Sequence, residues 1–295
     1  MNSEKPEIPS LDEVCARALQ LPCAPSLLPR LVLALGQDDS TASEIEEIIA
    51  LDSALATATL RLSNSAYYAG AEPVVSLDHA ILRLGQREIY RLAALVLVSR
   101  WEAVHKDNLR WAPGDYSRHS VCTALAAEVL AESSEKVDPS LAYTAGLVCD
   151  VGKLALAYVC AEFYPQVAAH CETGACTWEQ AEKAILGYNH AEVGSRLLQS
   201  WRFPRLFVEV IEKQFAPEKA SEASLPLIAH LHAARYLAVA LGPGVTEDGF
   251  LFALHGPFLS QFGFTADFLE EAMVEVRARA QSRLGEKINL GQLAP

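Results

Sequence analysis

The sequence predicts an all-α fold made of two packed helical lobes. Apolar residues recur at three- and four-residue spacing along most of the 295-residue chain, and the strict alternation typical of strands is rare. Polar and proline-containing residues between His105 and Pro113 are the best candidate for a boundary. We therefore predict one domain over residues 12–285, with an N-terminal lobe at 12–108, a second lobe at 109–285, and flexible tails at 1–11 and 286–295.

Helices in the first half are predicted to begin at polar capping residues. Ser43 and Glu46 have the spacing of a capping box, which predicts a helix from Glu44 to Leu51. Three more helices follow: one capped by Asp52 and ending near Asn64, one capped by Ser76 and ending at Gly85, and one from Gln86 to about Arg100.

Helices in the second half are predicted from apolar periodicity and from proline punctuation. The residues before Pro204 and Pro217 are biased away from helical geometry, so helices are expected to end near them. The predicted helices are Tyr116–Glu132, Pro139–Tyr158, Phe163–Glu172, Thr177–Leu186, His190–Gln199, Pro204–Gln214, Leu225–Leu241 and Ala266–Leu284.

Charge and hydropathy exclude several classes of partner. The net charge of −13 repels nucleic acid and anionic membranes. The two short helices on either side of Asp52 could be mistaken for a DNA-binding pair, but the second offers a single cation, Arg61. Uninterrupted apolar runs such as Leu92 to Val98 are far shorter than the roughly 20 residues that span a bilayer. Because Met1–Pro6 does not resemble a signal peptide, we expect a cytoplasmic protein with no DNA or membrane partner.

The cysteine pattern favours reduced, buried thiols. Seven cysteines are spread along the chain without any C-x-x-C pair, at positions 15, 23, 122, 149, 160, 171 and 176. Most of them lie within apolar helical patterns. Neither a disulfide framework nor a structural zinc knuckle is predicted.

One segment is similar to the motif of a metal-dependent hydrolase with one ligand missing. In Gly146–Leu154, Cys149 stands where a histidine would precede Asp150. Together with other blocks in the same order, this segment resembles the HDOD (HD-related output domain) family, a degenerate relative of the HD and HD-GYP phosphohydrolases. The blocks are Leu21–Ser26, Ile48–Leu55, Leu60–Tyr68, Ser76–Gly85, Arg118–Ser120, Gly146–Leu154, His190–Gly194 and Trp201–Pro204. The resemblance covers Leu21 to Leu241 and implies a helical bundle that serves as a bacterial signalling output module.

The resemblance also implies a degenerate metal site. His119 matches the first ancestral ligand, Asp150 matches the aspartate of the His-Asp pair, and His190 matches a later histidine. Gln214 and Phe215 stand where some hydrolases place adjacent histidines, and the segment from His230 to Ala234 lacks the expected final acid. We therefore predict no catalytic residue and no cofactor, and any metal would be held by His119, Asp150 and His190.

Three interpretations of these residues remain open at the sequence level. His119, Asp150, Lys153 and His190 could form a satisfied polar core, in which Asp150 and Lys153 pair across three residues. They could instead form a vestigial pocket for a nucleotide or another small anion. They could also hold a catalytic metal, although adjacent helical residues such as Cys149 and Asp150 point about 100° apart and would share an ion only at a helix end.

The function expected from this combination is signal transduction by protein contacts without catalysis. The resemblance implies a role in bacterial two-component or cyclic-dinucleotide signalling, with other signalling proteins as partners. The alternatives are a divergent metal-dependent phosphohydrolase and a nucleotide-binding sensor that uses the vestigial site.

Overall fold

The computed structural model describes residues 7–20, 27–35, 41–65, 67–68, 70, 72–105, 112, 114–174, 176–242 and 253–285. These residues form α-helices and two short 3₁₀ turns, and no strand occurs among them. The all-α fold class is therefore confirmed. The helices are α1 (Leu11–Leu19), α2 (Leu27–Leu35), α3 (Ala42–Ala50), α4 (Ser53–Ser63), α5 (Leu77–Leu84), α6 (Gln86–His105), α7 (Asp115–Ser134), α8 (Pro139–Val148), α9 (Val151–Val159), α10 (Tyr164–Gly174), α11 (Trp178–Leu186), α12 (His190–Ser200), α13 (Arg205–Lys213), α14 (Leu225–Leu241), α15 (Gly256–Gln261) and α16 (Ala266–Gly285).

Side-chain caps account for where several helices begin. Asp52 accepts a hydrogen bond from the backbone N–H of Leu55 and so caps α4, as predicted. The capping box predicted at Ser43 is wrong, because Thr41 and Glu44 make it instead and α3 begins at Ala42. The observed box lies two residues before the predicted one, and a threonine hydroxyl can accept the capping hydrogen bond as a serine hydroxyl can.

The predicted helix Pro139–Tyr158 is in fact two helices. Asp138 caps α8, which ends at Val148, and α9 begins at Val151 after a break at Cys149 and Asp150. Asp150 has φ −105° and ψ 13°, outside the geometry of a continuing helix. An apolar pattern that runs through both helices does not reveal this break.

The helices pack into two groups that share one continuous apolar core. Helices α2 to α6 contact one another, and α7 packs on α8, α14 and α16. Helix α6 joins the groups through contacts with α7, α8 and α9. Helix α1 packs against α9 and α12 in the second half of the chain.

The residues predicted to be tails are only partly described. Ser10 caps α1, which begins at Leu11, and the carbonyl of Pro9 accepts a hydrogen bond from Tyr188 Oη at 2.6 Å. Residues 9–11 therefore belong to the fold. Residues 1–6 and 286–295 lie outside the described residues, and the division into lobes at 108 and 109 stays a prediction.

Buried carboxylates tie α6 to α7. Glu102 of α6 accepts hydrogen bonds from the backbone N–H groups of Gly114 and Ser117, at 2.7 and 3.2 Å, and so satisfies the N-terminus of α7. Further along the same helices, Arg91 donates to the buried carboxylate of Glu128. These contacts fix the first group of helices against the helix that carries His119.

One stretch, Pro139–Val159, is long and apolar enough to cross a membrane by length and composition. However, 89% of its most apolar window is buried inside the fold, where it forms α8 and α9. A buried helix pair of this kind is typical of the core of a folded domain.

Candidate functional site: a buried ionic cluster around Asp150

Asp150 lies at the break between α8 and α9, where two glycines allow close helix approach. A Cβ on Gly152 would lie 1.9 Å from the carbonyl oxygen of His190, and one on Gly146 would lie 2.7 Å from Ala124 Cα. Only glycine therefore permits α9 to approach α12 and α8 to approach α7 this closely. The result is that Asp150, 2% exposed, faces side chains from three other helices.

Two cationic side chains hold the Asp150 carboxylate. Arg235 Nη1 of α14 donates to Oδ1 at 2.6 Å, and Lys153 Nζ of α9 donates to Oδ2 at 3.1 Å. Both cations are less than 10% exposed. Burial by itself would raise the pKa of Asp150, but the positive charges of Arg235 and Lys153 outweigh it and hold that pKa well below its usual range.

The two histidines also converge on Asp150, at longer distances. His190 Nε2 lies 3.6 Å from Oδ1, and His119 Nε2 lies 3.9 Å from Oδ2. Both distances exceed those of ordinary hydrogen bonds. The structure thus brings together all the residues singled out from the sequence, namely His119, Cys149, Asp150, Lys153 and His190.

A buried glutamate that the sequence analysis missed orients His190. Glu182 Oε2 accepts from both Nδ1 and the backbone N–H of His190, at 2.6 and 2.8 Å. Trp178 Nε1 donates to the other oxygen of Glu182 at 3.0 Å. With Nδ1 engaged in this way, the imidazole presents Nε2 toward Asp150.

Gln214 and Phe215 hold Arg235 at the positions where the resemblance implied missing histidines. Gln214 Oε1 accepts from Arg235 Nη1 at 2.8 Å, and Gln214 Nε2 donates to the carbonyl of Cys149 at 3.1 Å. The ring of Phe215 lies under the guanidinium at 5.0 Å and meets His190 edge-on at 5.2 Å. Both residues therefore help to position a cation beside Asp150.

Cys149 meets the geometric condition for sharing an ion with Asp150, because the helix ends there. In this structure its side chain makes a different contact. The thiol donates to the carbonyl of Gly146 at 3.2 Å, and burial, with the charge of Asp150 nearby, raises the pKa of Cys149 to about 12. In this structure the Cys149 thiol is therefore protonated and engaged with backbone.

The residues present do not fit the divalent ion that the family resemblance implies. No group of three or more His, Cys, Asp or Glu side chains in the described part of the chain is arranged to hold a metal. Arg235 and Lys153 already place two positive charges on Asp150, the same charge that a divalent ion would supply. An ion at Asp150 would have to displace them or be repelled by them.

The same contacts bear on the nucleotide-binding alternative. Lys153 and His190, the side chains that would take a phosphate, are turned inward onto Asp150 and Glu182. Nothing tests this alternative directly, and it stays a prediction.

Arg235 is the most important residue that sequence reasoning missed. It lies in α14, which is otherwise apolar apart from its histidines and Tyr236. A lone arginine within a helix of this kind is a signal for a buried partner, since charged residues are almost never fully buried unless paired. The identity of the partner could not be read from the sequence, because Asp150 is 85 residues away.

Comparison with known proteins identifies the family. The family model for the HDOD domain matches residues 21–217. An uncharacterized protein of Treponema pallidum (strain Nichols) is 25% identical over 224 residues, which is 73% of this chain. The chain spans only 41% of the length of that relative.

Solved structures show the same fold. An HDOD domain protein of unknown function from Geobacter sulfurreducens is 22% identical, with a TM-score of 0.69 over 92% of this chain and 97% of that one. A candidate signal transduction protein from Marinobacter aquaeolei VT8 is 20% identical, with a TM-score of 0.74 over 95% and 61%. A candidate phosphohydrolase from Shewanella amazonensis SB2B is 23% identical, with a TM-score of 0.64 over 96% and 98%. The extent of the family match shows that the chain belongs to the HDOD domain family.

Proposed function

We propose that this HDOD protein is a non-catalytic signalling module that acts through contacts with other proteins. The observation that carries the proposal is the pairing of Asp150 with Arg235 and Lys153. These cations take the place that a catalytic metal ion would need. The ancestral site then serves as a structural core that joins α9, α12 and α14.

The chemistry of phosphodiester hydrolysis supports this proposal. A metal-dependent hydrolase uses its ion to lower the pKa of bound water and to polarise the phosphoryl oxygen. Arginine and lysine side chains can balance the charge of a carboxylate, but they do not activate water in this way. A cluster that is neutralised by Arg235 and Lys153 therefore keeps the helical arrangement of a hydrolase site without the metal ion that would activate water.

Membership in the HDOD family supports a signalling role. The structural neighbour from Marinobacter aquaeolei VT8, described as a candidate signal transduction protein, fits the same role. We extend this to a cytoplasmic bacterial protein in a two-component or cyclic-dinucleotide pathway, with other signalling proteins as partners. That extension rests on the family resemblance.

The alternative function is a divergent phosphohydrolase, which is favoured by one observation. His119 and His190 keep a ring nitrogen within 4 Å of Asp150, and Glu182 orients His190 as outer partners orient metal-bound histidines. Metal content and phosphodiester turnover distinguish the two functions.

The test measures metal content and phosphodiester turnover on the same purified chain. We expect substoichiometric zinc, iron and manganese, and no hydrolysis of bis-p-nitrophenyl phosphate with added Mn²⁺. Asp150→Asn is compared with Asp12→Asn, a surface variant whose carboxylate pairs with Arg196 outside the cluster. Stoichiometric metal, with turnover that Asp150→Asn abolishes and Asp12→Asn retains, would overturn the non-catalytic proposal.

A further inference from the structure

Two cysteines lie close together on either side of the connection between α10 and α11. Cys171 is buried in the last turns of α10, and Cys176 is half-buried just before α11. The Cys171 thiol donates to the carbonyl of Thr177 at 3.8 Å, and the Cys176 thiol donates to the carbonyl of His170 at 3.9 Å. Each thiol therefore contacts the backbone carbonyl of a residue adjacent to the other cysteine.

Cys176 lies close to the end of α10. A Cβ placed on Gly174 would lie 3.6 Å from Cys176 Sγ, so Cys176 folds back over the end of α10. The two cysteines are only five positions apart, so a bond between them would close a small ring.

We propose that Cys171 and Cys176 form a peroxide-oxidisable dithiol, which closes reversibly to a disulfide between α10 and α11. This inference does not depend on the proposed signalling function. It assigns a modification site to a part of the molecule outside the Asp150 cluster, and it is compatible with reduced thiols in the resting protein.

The two cysteines have different roles in this reaction. Cys176 is the more accessible sulfur and meets the oxidant first. Burial raises the pKa of Cys171 to about 12. Cys171 is buried behind Cys176, so it is placed to attack the sulfenic acid in the second step and not to meet the oxidant in the first.

The reaction balances with hydrogen peroxide as the oxidant. Cys176 sulfur attacks one peroxide oxygen, the O–O bond breaks, and a sulfenic acid and one water form. Cys171 sulfur then attacks the sulfenic sulfur, the S–S bond forms, and the S–O bond breaks. The hydroxyl leaves as a second water with the proton of Cys171, so two thiols lose two electrons and one peroxide is reduced to two waters.

The disulfide would act next to residues that contact the Asp150 cluster. Thr177 follows Cys176 directly and caps α11 through a box with Gln180. The next residue, Trp178, donates to Glu182, which holds His190. Oxidation is therefore expected to shift the indole N–H resonance of Trp178 in the full chain.

The experiment treats the full chain with hydrogen peroxide, alkylates the remaining thiols in denaturant, and maps the tryptic peptides by mass spectrometry. The peptide from Leu154 to Lys183 contains Cys160, Cys171 and Cys176, so the buried Cys160 serves as an internal control. We expect Cys171 and Cys176 to lose alkylation together and to regain it after dithiothreitol. Cys160 should stay alkylated throughout.

Two variants test the assigned roles. In Cys171→Ala, the sulfenic acid on Cys176 should accumulate and give severalfold more dimedone adduct than the wild type. In Cys176→Ala, a change at a half-buried position that should leave the fold intact, Cys171 should stay alkylatable at the same peroxide dose. Full alkylation of both cysteines after excess peroxide would overturn the proposal, as would oxidation of Cys171 that persists in Cys176→Ala.

Discussion

Arg235 Nη1 lies 2.6 Å from Asp150 Oδ1, so a guanidinium from α14 neutralises the carboxylate at the break between α8 and α9. Both side chains are nearly excluded from solvent, at 8% and 2% exposure. A buried pair of this kind is weak evidence for net stabilisation, because desolvation of the two charges offsets much of their attraction. Removing one partner is a different matter, since the other charge is then left buried.

Arg235→Met should therefore destabilise the protein strongly. Lys153 would still pair with Asp150, but Asp150 Oδ1 and Gln214 Oε1 would each lose a buried donor, so we expect the free energy of unfolding at pH 7 to fall by about 2–4 kcal/mol. Urea unfolding followed by circular dichroism measures this loss. The matched control is Arg196→Met, whose ion pair with Asp12 is solvent-exposed and should contribute little. Equal stability losses in the two variants would contradict a special role for the buried pair.

Protonation of His232 should lower the free energy of unfolding in mild acid. Burial lowers the pKa of His232 from 6.5 to about 4, and its Nε2 accepts a hydrogen bond from the backbone N–H of His255 at 3.0 Å. The unfolded chain then binds the proton more readily than the folded one. The stabilising contribution is complete above pH 6.5 and is lost as the pH falls toward 4, by up to about 3 kcal/mol.

The measurement is the free energy of unfolding in urea at pH 7.0, 5.5 and 4.5. His232→Gln should flatten the dependence on pH relative to the wild type. His79→Gln, at an exposed histidine, should leave the dependence unchanged. A wild-type slope that survives in His232→Gln would show that another group is responsible.

Gly152→Ala should prevent normal packing of α9 on α12. The added Cβ would meet backbone atoms, His190 O at 1.9 Å and Gly194 N at 2.7 Å, and backbone cannot rotate away as a side chain can. We expect a loss of more than about 3 kcal/mol or insoluble protein. The control is Gly256→Ala, where a Cβ would meet nothing within 4 Å, and its melting temperature should change little. Similar melting temperatures in the two variants would be inconsistent with the close helix contact.

Cys149→Ser should be tolerated without any change in metal content. The serine hydroxyl can donate to the carbonyl of Gly146, as the thiol does at 3.2 Å, so part of the burial cost is recovered. We expect a loss of about 1–2 kcal/mol by urea unfolding. Elemental analysis of wild type and variant provides the second readout. Release of bound metal in Cys149→Ser would instead make Cys149 a ligand.

Local sequence signals predicted much of the secondary structure. Asp52 caps α4 as predicted, the predicted start at Pro139 is the first residue of α8, and α14 was predicted with the bounds that the structure has. The break at Asp150 was not predicted, because α8 and α9 are apolar on nearly every face and their combined pattern looks like one buried helix. Helices α1, α2 and α15 were also missed. Each has nine residues or fewer, so periodicity gives a weak signal there.

The residues of the candidate site also fall into two groups, those predicted from the sequence and those found only in the structure. Motif order gave His119, Asp150 and His190, and the three-residue spacing gave the pair of Asp150 with Lys153. Glu182 and Arg235 could not be placed from the sequence, because their partners are reached only through the packing of α11 and α14 against the rest of the domain. Their roles depend on distances of a few ångströms between segments far apart in the chain.

By itself, therefore, the sequence determined the helical class, the family, the acidic surface charge, and the loss of the histidine before Asp150. Periodicity, composition and motif order are properties of the chain that need no coordinates. The tertiary structure decided what replaced the lost ligands: Arg235 and Lys153 neutralise Asp150, and Gln214 and Phe215 hold Arg235 in place. Electrostatic pairing depends on distance and burial, and only the packed helices define these for residues that the chain keeps apart.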